Sequence, residues 1–91
     1  MTPADILRTA IRTIEARGVL RDTGQERSMA RTVATFNAMT GHDLSEVDGW
    51  TFMIVLKLCR EQSGHDPDNW VDAAGYVGLA GEAATPDGVV T

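Results

Sequence analysis

Apolar residues recur at helical spacing along most of the chain, and almost nowhere do they alternate with polar residues as in a strand. Residues 2–17 carry an apolar stripe behind an N-cap threonine, a proline and Asp5, and Gly18 is expected to end this segment. Residues 25–40 space their large apolar side chains four, three and three apart and stop before Gly41. Both segments therefore predict amphipathic helices.

Two further helices are predicted in the second half of the chain. Ser45, with Asp48 three residues later, has the pattern of a capping box ahead of the apolar sequence GWTFMIVLKLC, so residues 45–61 predict a third helix. This helix is apolar on nearly all sides, which indicates the central and most buried element. Asp66, followed by a proline, predicts the start of a fourth helix over residues 66–84.

The four segments predict an all-α protein with one compact four-helix domain. We expect that domain over residues 1–84, followed by a flexible C-terminal tail at residues 85–91. A chain of 91 residues forms only a modest core, so self-association into at least a homodimer is expected. The large apolar side chains that exceed such a core are Met29, Phe36, Met39, Trp50, Phe52 and Trp70.

Net charge and cysteine content indicate which binding partners and which cellular compartment are expected. The net charge of -5 argues against a DNA or RNA backbone as the main partner. The N-terminal residues resemble neither a signal peptide nor a membrane span. The single cysteine, Cys59, lies in an apolar run, so we expect an inert core thiol in a reduced setting. These features predict a cytoplasmic protein without a membrane partner.

The fourth predicted helix contains Gly75, Gly78 and Gly81 at intervals of three. Each interior glycine costs up to about 1 kcal/mol relative to alanine, so a compensating role is expected. A helix face without side chains lets another backbone approach closely. The favoured interpretation is tight packing against the third helix or a second copy of the chain, and the alternative is the approach of a ligand.

Polar residues on the third and fourth helices form the candidate site. Lys57 and Arg60 share one face of the third helix, and Asn69, Asp72 and Tyr76 follow one another by about one turn on the fourth. One interpretation is structural, with the cations at the carbonyl end of their helix or paired with Asp72. The other is a pocket in which the cations bind phosphate and the acid binds a base, a ribose or a metal.

Residues 17–82 resemble a family of short phage and prophage proteins of unknown function. In that family an apolar helix ends in a lysine, two residues and an arginine, and the next helix carries an aspartate, two small residues, a glycine and a tyrosine. The matching positions are Lys57, Arg60, Asp72, Gly75 and Tyr76. The family is in turn similar to the MazG-like all-α nucleotide pyrophosphatases, which oligomerise and bind nucleoside triphosphates through magnesium held by acidic residues.

The chain departs from the pyrophosphatases in these acids. Their two pairs correspond here to Asp48 with Thr51 and to Asn69 with Asp72, so half of the acids are missing. Asp48 and Asp72 alone could still hold one magnesium ion.

Other reactive side chains add little support for catalysis. Glu46, Glu61 and Glu82 are at predicted helix ends, where a solvated role is expected, and His42 and His65 lie in turns without metal spacing. We therefore expect a binding protein with no required cofactor, rather than an enzyme.

The resemblance implies a phage-type protein that sequesters a nucleotide in the host cytoplasm, such as a cyclic nucleotide of antiviral defence, without hydrolysing it. The expected ligand-binding residues are Lys57, Arg60, Asn69, Trp70, Asp72 and Tyr76, with Trp50 as a further base-stacking candidate. Two alternatives stay open. One is a magnesium-dependent pyrophosphatase with Asp48 and Asp72 as metal ligands, and the other is a helical module whose apolar face binds a partner protein.

Overall fold

A computed structural model describes residues 1–22 and 28–85, and of residues 18–22 the backbone only. Within these residues the chain forms helices and no strand, which confirms the all-α four-helix prediction. The helices are α1 (Pro3–Asp22), α2 (Ser28–Thr40), α3 (Glu46–Ser63) and α4 (Pro67–Ala84). The predicted start of α2 at Gln25 and the predicted tail from residue 86 onward lie outside the described residues.

The predicted caps of α3 and α4 are confirmed. The hydroxyl of Ser45 accepts a hydrogen bond from the backbone N–H of Asp48 at 3.1 Å, and the Asp48 carboxylate accepts one from the Ser45 N–H at 2.8 Å. At α4, the Asp66 carboxylate accepts from the N–H of Asp68 at 3.0 Å. These bonds satisfy N–H groups that have no acceptor within their own helix, and so they fix where each helix begins.

Two glycines were expected to end helices, and only one does so. Gly41 follows α2 with a φ of 75°, a left-handed conformation that favours glycine. Gly18 does not end α1, which continues to Asp22. A single interior glycine costs about 1 kcal/mol, which is too little to stop a helix whose later residues continue its backbone hydrogen bonds.

The helices pack in the spatial order α1, α4, α3 and α2. α3 and α4 form an antiparallel pair, since Glu61 meets Asn69 near their connection and Trp50 meets Tyr76 toward the far end. α1 packs on α4, and α2 packs on α3. The α3–α4 pair is therefore the centre of the fold.

The core of the described residues is small, and α3 is not its most buried element. The buried apolar residues are Ala10, Val33, Trp50, Val71 and Ala73. Only Trp50 comes from α3, whereas Phe52 on the same helix is 70% exposed. The prediction that α3 is the most buried element is wrong because α2 and α4 cover only part of its surface. Cys59 lies on the uncovered side, so the expected core thiol is in fact exposed.

Candidate functional site

A cleft of about 700 Å³ opens between the helices, and all four of them contribute to its walls. The lining residues are Ala10, Thr13, Ile14, Arg17, Ser28, Met29, Trp50, Met53, Val71, Asp72, Gly75, Tyr76 and Leu79. Most of these side chains are apolar, and a few polar groups stand among them. The volume of the cleft lies within the range found for small-molecule sites.

Two aromatic rings form one wall of the cleft. Trp50 and Tyr76 stack with ring centroids 5.8 Å apart and ring planes inclined by 25°. The indole N–H of Trp50 donates a hydrogen bond to Glu46 at 3.1 Å, which fixes the orientation of the ring. Glu46 is half-buried and hydrogen-bonded to Trp50, so the expectation of a solvated surface role is wrong. A flat ring entering the cleft could extend the stack.

Asp72 also lines the cleft, and its carboxylate is already paired. Its Oδ2 lies 2.9 Å from Nζ of Lys57, and only 12% of the Lys57 side chain and 24% of the Asp72 side chain are exposed. The structure thus contains the ion pair that the structural interpretation of these residues proposed. Arg60 is exposed and, within the described part of the chain, has no ion pair.

Glu61, near the end of α3, is the centre of a second polar cluster. One carboxylate oxygen accepts hydrogen bonds from the backbone N–H of Asp66 at 2.9 Å and from the side chain of Asn69 at 3.1 Å. The other contacts Nδ1 of His65 and accepts from the indole N–H of Trp70. Four partners thus converge on one carboxylate and fasten the start of α4 to the end of α3.

These contacts determine the ionisation of Glu61. The backbone hydrogen bond from Asp66 and the contact with His65 are the main causes that lower the pKa of Glu61 to about 2. Only 16% of its side chain is exposed, so the expectation of a solvated surface role is wrong. The role of Glu61 could have been predicted from the short α3–α4 connection. This connection places an acid at the end of α3 beside N–H groups at the start of α4 that have no acceptor within their own helix.

The six predicted ligand-binding residues do not form one site. Asp72 and Tyr76 line the cleft, whereas Asn69 and Trp70 belong to the Glu61 cluster. The two predicted phosphate-binding cations are not among the lining residues. A role in ligand binding stays a prediction for each of the six.

The two predicted magnesium ligands are both engaged in other contacts. Asp48 caps α3, and Asp72 is paired with Lys57. Across residues 1–22 and 28–85, no group of three or more His, Cys, Asp or Glu side chains is placed to hold a metal ion. A magnesium ion at Asp72 would compete with the Lys57 ammonium group, and this site too stays a prediction.

Gly75 and Gly78 of α4 face α1 rather than α3, so the expected packing of this face on the third helix is wrong, and its packing on a second copy stays a prediction. A Cβ atom added at Gly75 or Gly78 would lie 3.7 Å or 3.6 Å from the side chain of Ile14, an ordinary van der Waals distance. Among the described residues, a Cβ atom at Gly81 would meet nothing within 4 Å. The glycines therefore leave space, and Gly75 opens part of that space into the cleft.

The close approach of two helices occurs instead at Gly49, between α2 and α3. A Cβ atom there would lie 2.4 Å from Sδ of Met29 and 2.8 Å from Cγ2 of Val33. Only a residue without a side chain fits this contact. Sequence reasoning missed it because a single glycine in the first turn of a helix shows no spacing pattern.

Residues 5–84 match the model of a family described as a domain of unknown function, DUF6378. The chain belongs to this family. The match includes most of α1 and all of α2, α3 and α4, and with them every residue that lines the cleft. No curated protein and no solved structure matches the chain significantly. In the described residues, no helix has both the length and the apolar character needed to cross a membrane.

Proposed function

We propose that this DUF6378 protein binds a nucleotide in the cleft and holds it without hydrolysis. The Trp50–Tyr76 stack is the observation that carries the proposal, because it presents aromatic surface inside a cleft of about 700 Å³. A nucleobase has the flat shape that such a stack accepts. The Asp72 carboxylate at the same wall would accept hydrogen bonds from the base or the ribose.

The positions of the cations near the cleft favour the base of the nucleotide, rather than its phosphate, as the part that the protein recognises. Arg17 lines the cleft but already has an interaction of its own within the chain. Lys57 would have to release Asp72 before it could bind phosphate, since its ammonium group lies 2.9 Å from that carboxylate. Arg60 is exposed on the surface, outside the cleft lining. The base is therefore proposed as the main recognition element.

The biological setting of this proposal comes from the resemblance to short phage proteins. A phage-encoded binder of this kind would sequester a cyclic nucleotide signal of the host in its cytoplasm. Binding without turnover agrees with the acids that the chain lacks relative to the MazG-like pyrophosphatases. It also agrees with the engagement of Asp48 in a helix cap.

A MazG-like, magnesium-dependent pyrophosphatase is the alternative proposal. The position of Asp72 at the cleft favours it, because one carboxylate together with substrate phosphates can hold magnesium. The Lys57 ammonium group at Asp72 weighs against it. The two proposals differ in whether the nucleotide leaves the protein intact.

The two tryptophans of the chain provide a test, because Trp50 lines the cleft and Trp70 does not. Trp70→Phe leaves Trp50 as the only tryptophan, and Trp50→Phe leaves Trp70. Both variants are titrated with nucleoside triphosphates and cyclic dinucleotides in the presence of magnesium. We expect a ligand to quench the fluorescence of the Trp50-only protein and to leave the Trp70-only protein unchanged, because stacking requires direct ring contact.

Two further measurements complete this test. Adding Tyr76→Leu to the Trp50-only protein should weaken binding about three- to tenfold, the scale of an aromatic stacking interaction. Chromatography of the ligand released by heat then separates the two proposals: intact nucleotide supports sequestration, and pyrophosphate supports the enzyme. Quenching of Trp70 alone, or the absence of binding by any nucleotide tested, would overturn both.

A further inference from the structure

An apolar stripe on α3 is left uncovered by the rest of the described chain. It consists of Phe52, Val55, Leu56 and Cys59, whose spacing of three, one and three places them on one helix face. All four are exposed, and no charged residue lies between them on that face. This outer stripe points away from the face of α3 that carries Trp50 and packs on α4.

The outer stripe exposes apolar surface that a second molecule could cover. Phe52 is 70% exposed, and Val55 and Leu56 are 49% and 37% exposed. Removing apolar surface of this kind from water is favourable, so the stripe has a driving force for association.

We propose that a second copy of this chain covers the outer stripe, with the two α3 helices packed antiparallel about a two-fold axis. The net charge of -5 opposes association at every face, and the uncharged stripe is a face on which two copies meet without adding a contact between like charges. A two-fold axis brings the same patch of both copies together, so the stripe has to complement itself. This inference does not depend on nucleotide binding.

Charges at the ends of α3 select the antiparallel orientation. Glu46 and Asp48 lie in its first turn, and Arg60 lies in its last. Antiparallel packing places the acidic end of one α3 beside Arg60 of the second copy and also opposes the two helix dipoles. Parallel packing would place acid beside acid. The exposure of Arg60, without an ion pair in the described part of its own chain, fits the antiparallel arrangement.

Side-chain sizes along the stripe complement each other in the same arrangement. With the axis midway along the stripe, Phe52 of one copy faces Cys59 of the second copy, so a large residue meets a small one. Val55 and Leu56 face each other across the axis. The two Cys59 residues are then separated by about seven residues along the helix axis, roughly 10 Å at 1.5 Å per residue.

Light scattering at micromolar concentration tests which face associates. We expect the wild-type chain to be a dimer and Phe52→Glu to raise the dimer dissociation constant at least about 100-fold, because it places a charge in an apolar contact. Met39→Glu on α2 and Val77→Glu on α4 are matched controls, since both replace exposed apolar residues outside the stripe. A monomeric wild type, a dimeric Phe52→Glu protein, or equal loss in the controls would overturn the proposal.

Disulfide crosslinking tests the antiparallel orientation of the two α3 helices. This test does not depend on whether the Phe52→Glu protein folds. Phe52→Cys introduces a thiol that cannot reach Cys59 of its own chain, since two turns of helix separate them by roughly 10 Å. Under mild oxidation we expect a covalent dimer from Phe52→Cys, with position 52 bonded to Cys59 of the second copy. Met39→Cys serves as the control and should stay uncrosslinked. A Cys59–Cys59 dimer formed readily by the wild type would overturn the antiparallel arrangement.

Discussion

The two packed sides of α4 are held in different ways. Its contacts with α3 are the Lys57–Asp72 ion pair, the Glu61 cluster and the Trp50–Tyr76 stack. Toward α1, the side chain of Ile14 lies over Gly75 and Gly78, and the space there would admit a methyl group at either position. Specific contacts therefore fix the α3 side, while the α1 side leaves room for a methyl group at Gly75 and Gly78. Among the described residues, these two glycines mark space rather than close packing.

Among changes to the contacts between α3 and α4, removal of the Lys57 ammonium group is expected to cost the most stability. Lys57→Met leaves the Asp72 carboxylate unpaired and mostly shielded from water. We expect a loss of about 3 kcal/mol in the free energy of unfolding, at the lower end of the range for a buried pair because both side chains keep some exposure. Chemical denaturation at neutral pH measures it.

Two further variants separate a structural pair from a phosphate site. Arg60→Met changes an exposed cation one turn away and should alter stability by less than about 0.5 kcal/mol. Combining Lys57→Met with Asp72→Leu should recover most of the loss, because neither charge is then left alone. An unchanged stability in Lys57→Met, together with weaker nucleotide binding, would instead identify Lys57 as a phosphate ligand.

The local patterns of the sequence predicted the helices better than their packing. Ser45, Asp66 and Gly41 act within one turn of chain, so their capping roles follow from the sequence alone. The Lys57–Asp72 pair was one of two open interpretations, because helix faces are predictable but their partners are not. The apolar character of α3 was read as burial, although one of its faces is uncovered in the single chain.

The stabilisation that the Glu61 cluster gives to the α3 side of α4 depends on pH. The folded-state pKa of about 2 lies below the ordinary value of 4.5, so at intermediate pH the unfolded chain binds more protons than the folded one. The stabilisation by this carboxylate is therefore present above pH 4.5 and is lost as the pH falls toward 2. Glu61→Gln should reduce stability at neutral pH, by less than Lys57→Met does, and should flatten the dependence between these values.

Thermal unfolding from pH 7 down to pH 2.5 measures this difference. Gln62→Ala is the matched control, because it changes the exposed next residue without removing a carboxylate. The control is expected to keep the wild-type slope. Parallel curves for the wild type and Glu61→Gln would show that the Glu61 cluster does not contribute to the α3 side in solution.

The smallest expected effect is a gain in stability on the α1 side. A Cβ atom at Gly78 would lie 3.6 Å from Ile14, so Gly78→Ala should fit and raise the free energy of unfolding by about 0.5–1 kcal/mol. Gly81→Ala should act similarly. Gly49→Ala is the contrast: Val33 is stiff, so the added methyl group should force the helices apart at a cost of about 1–3 kcal/mol. A loss at Gly78 as large as that at Gly49 would mean that another molecule, a ligand or a second copy, occupies the space beside α4.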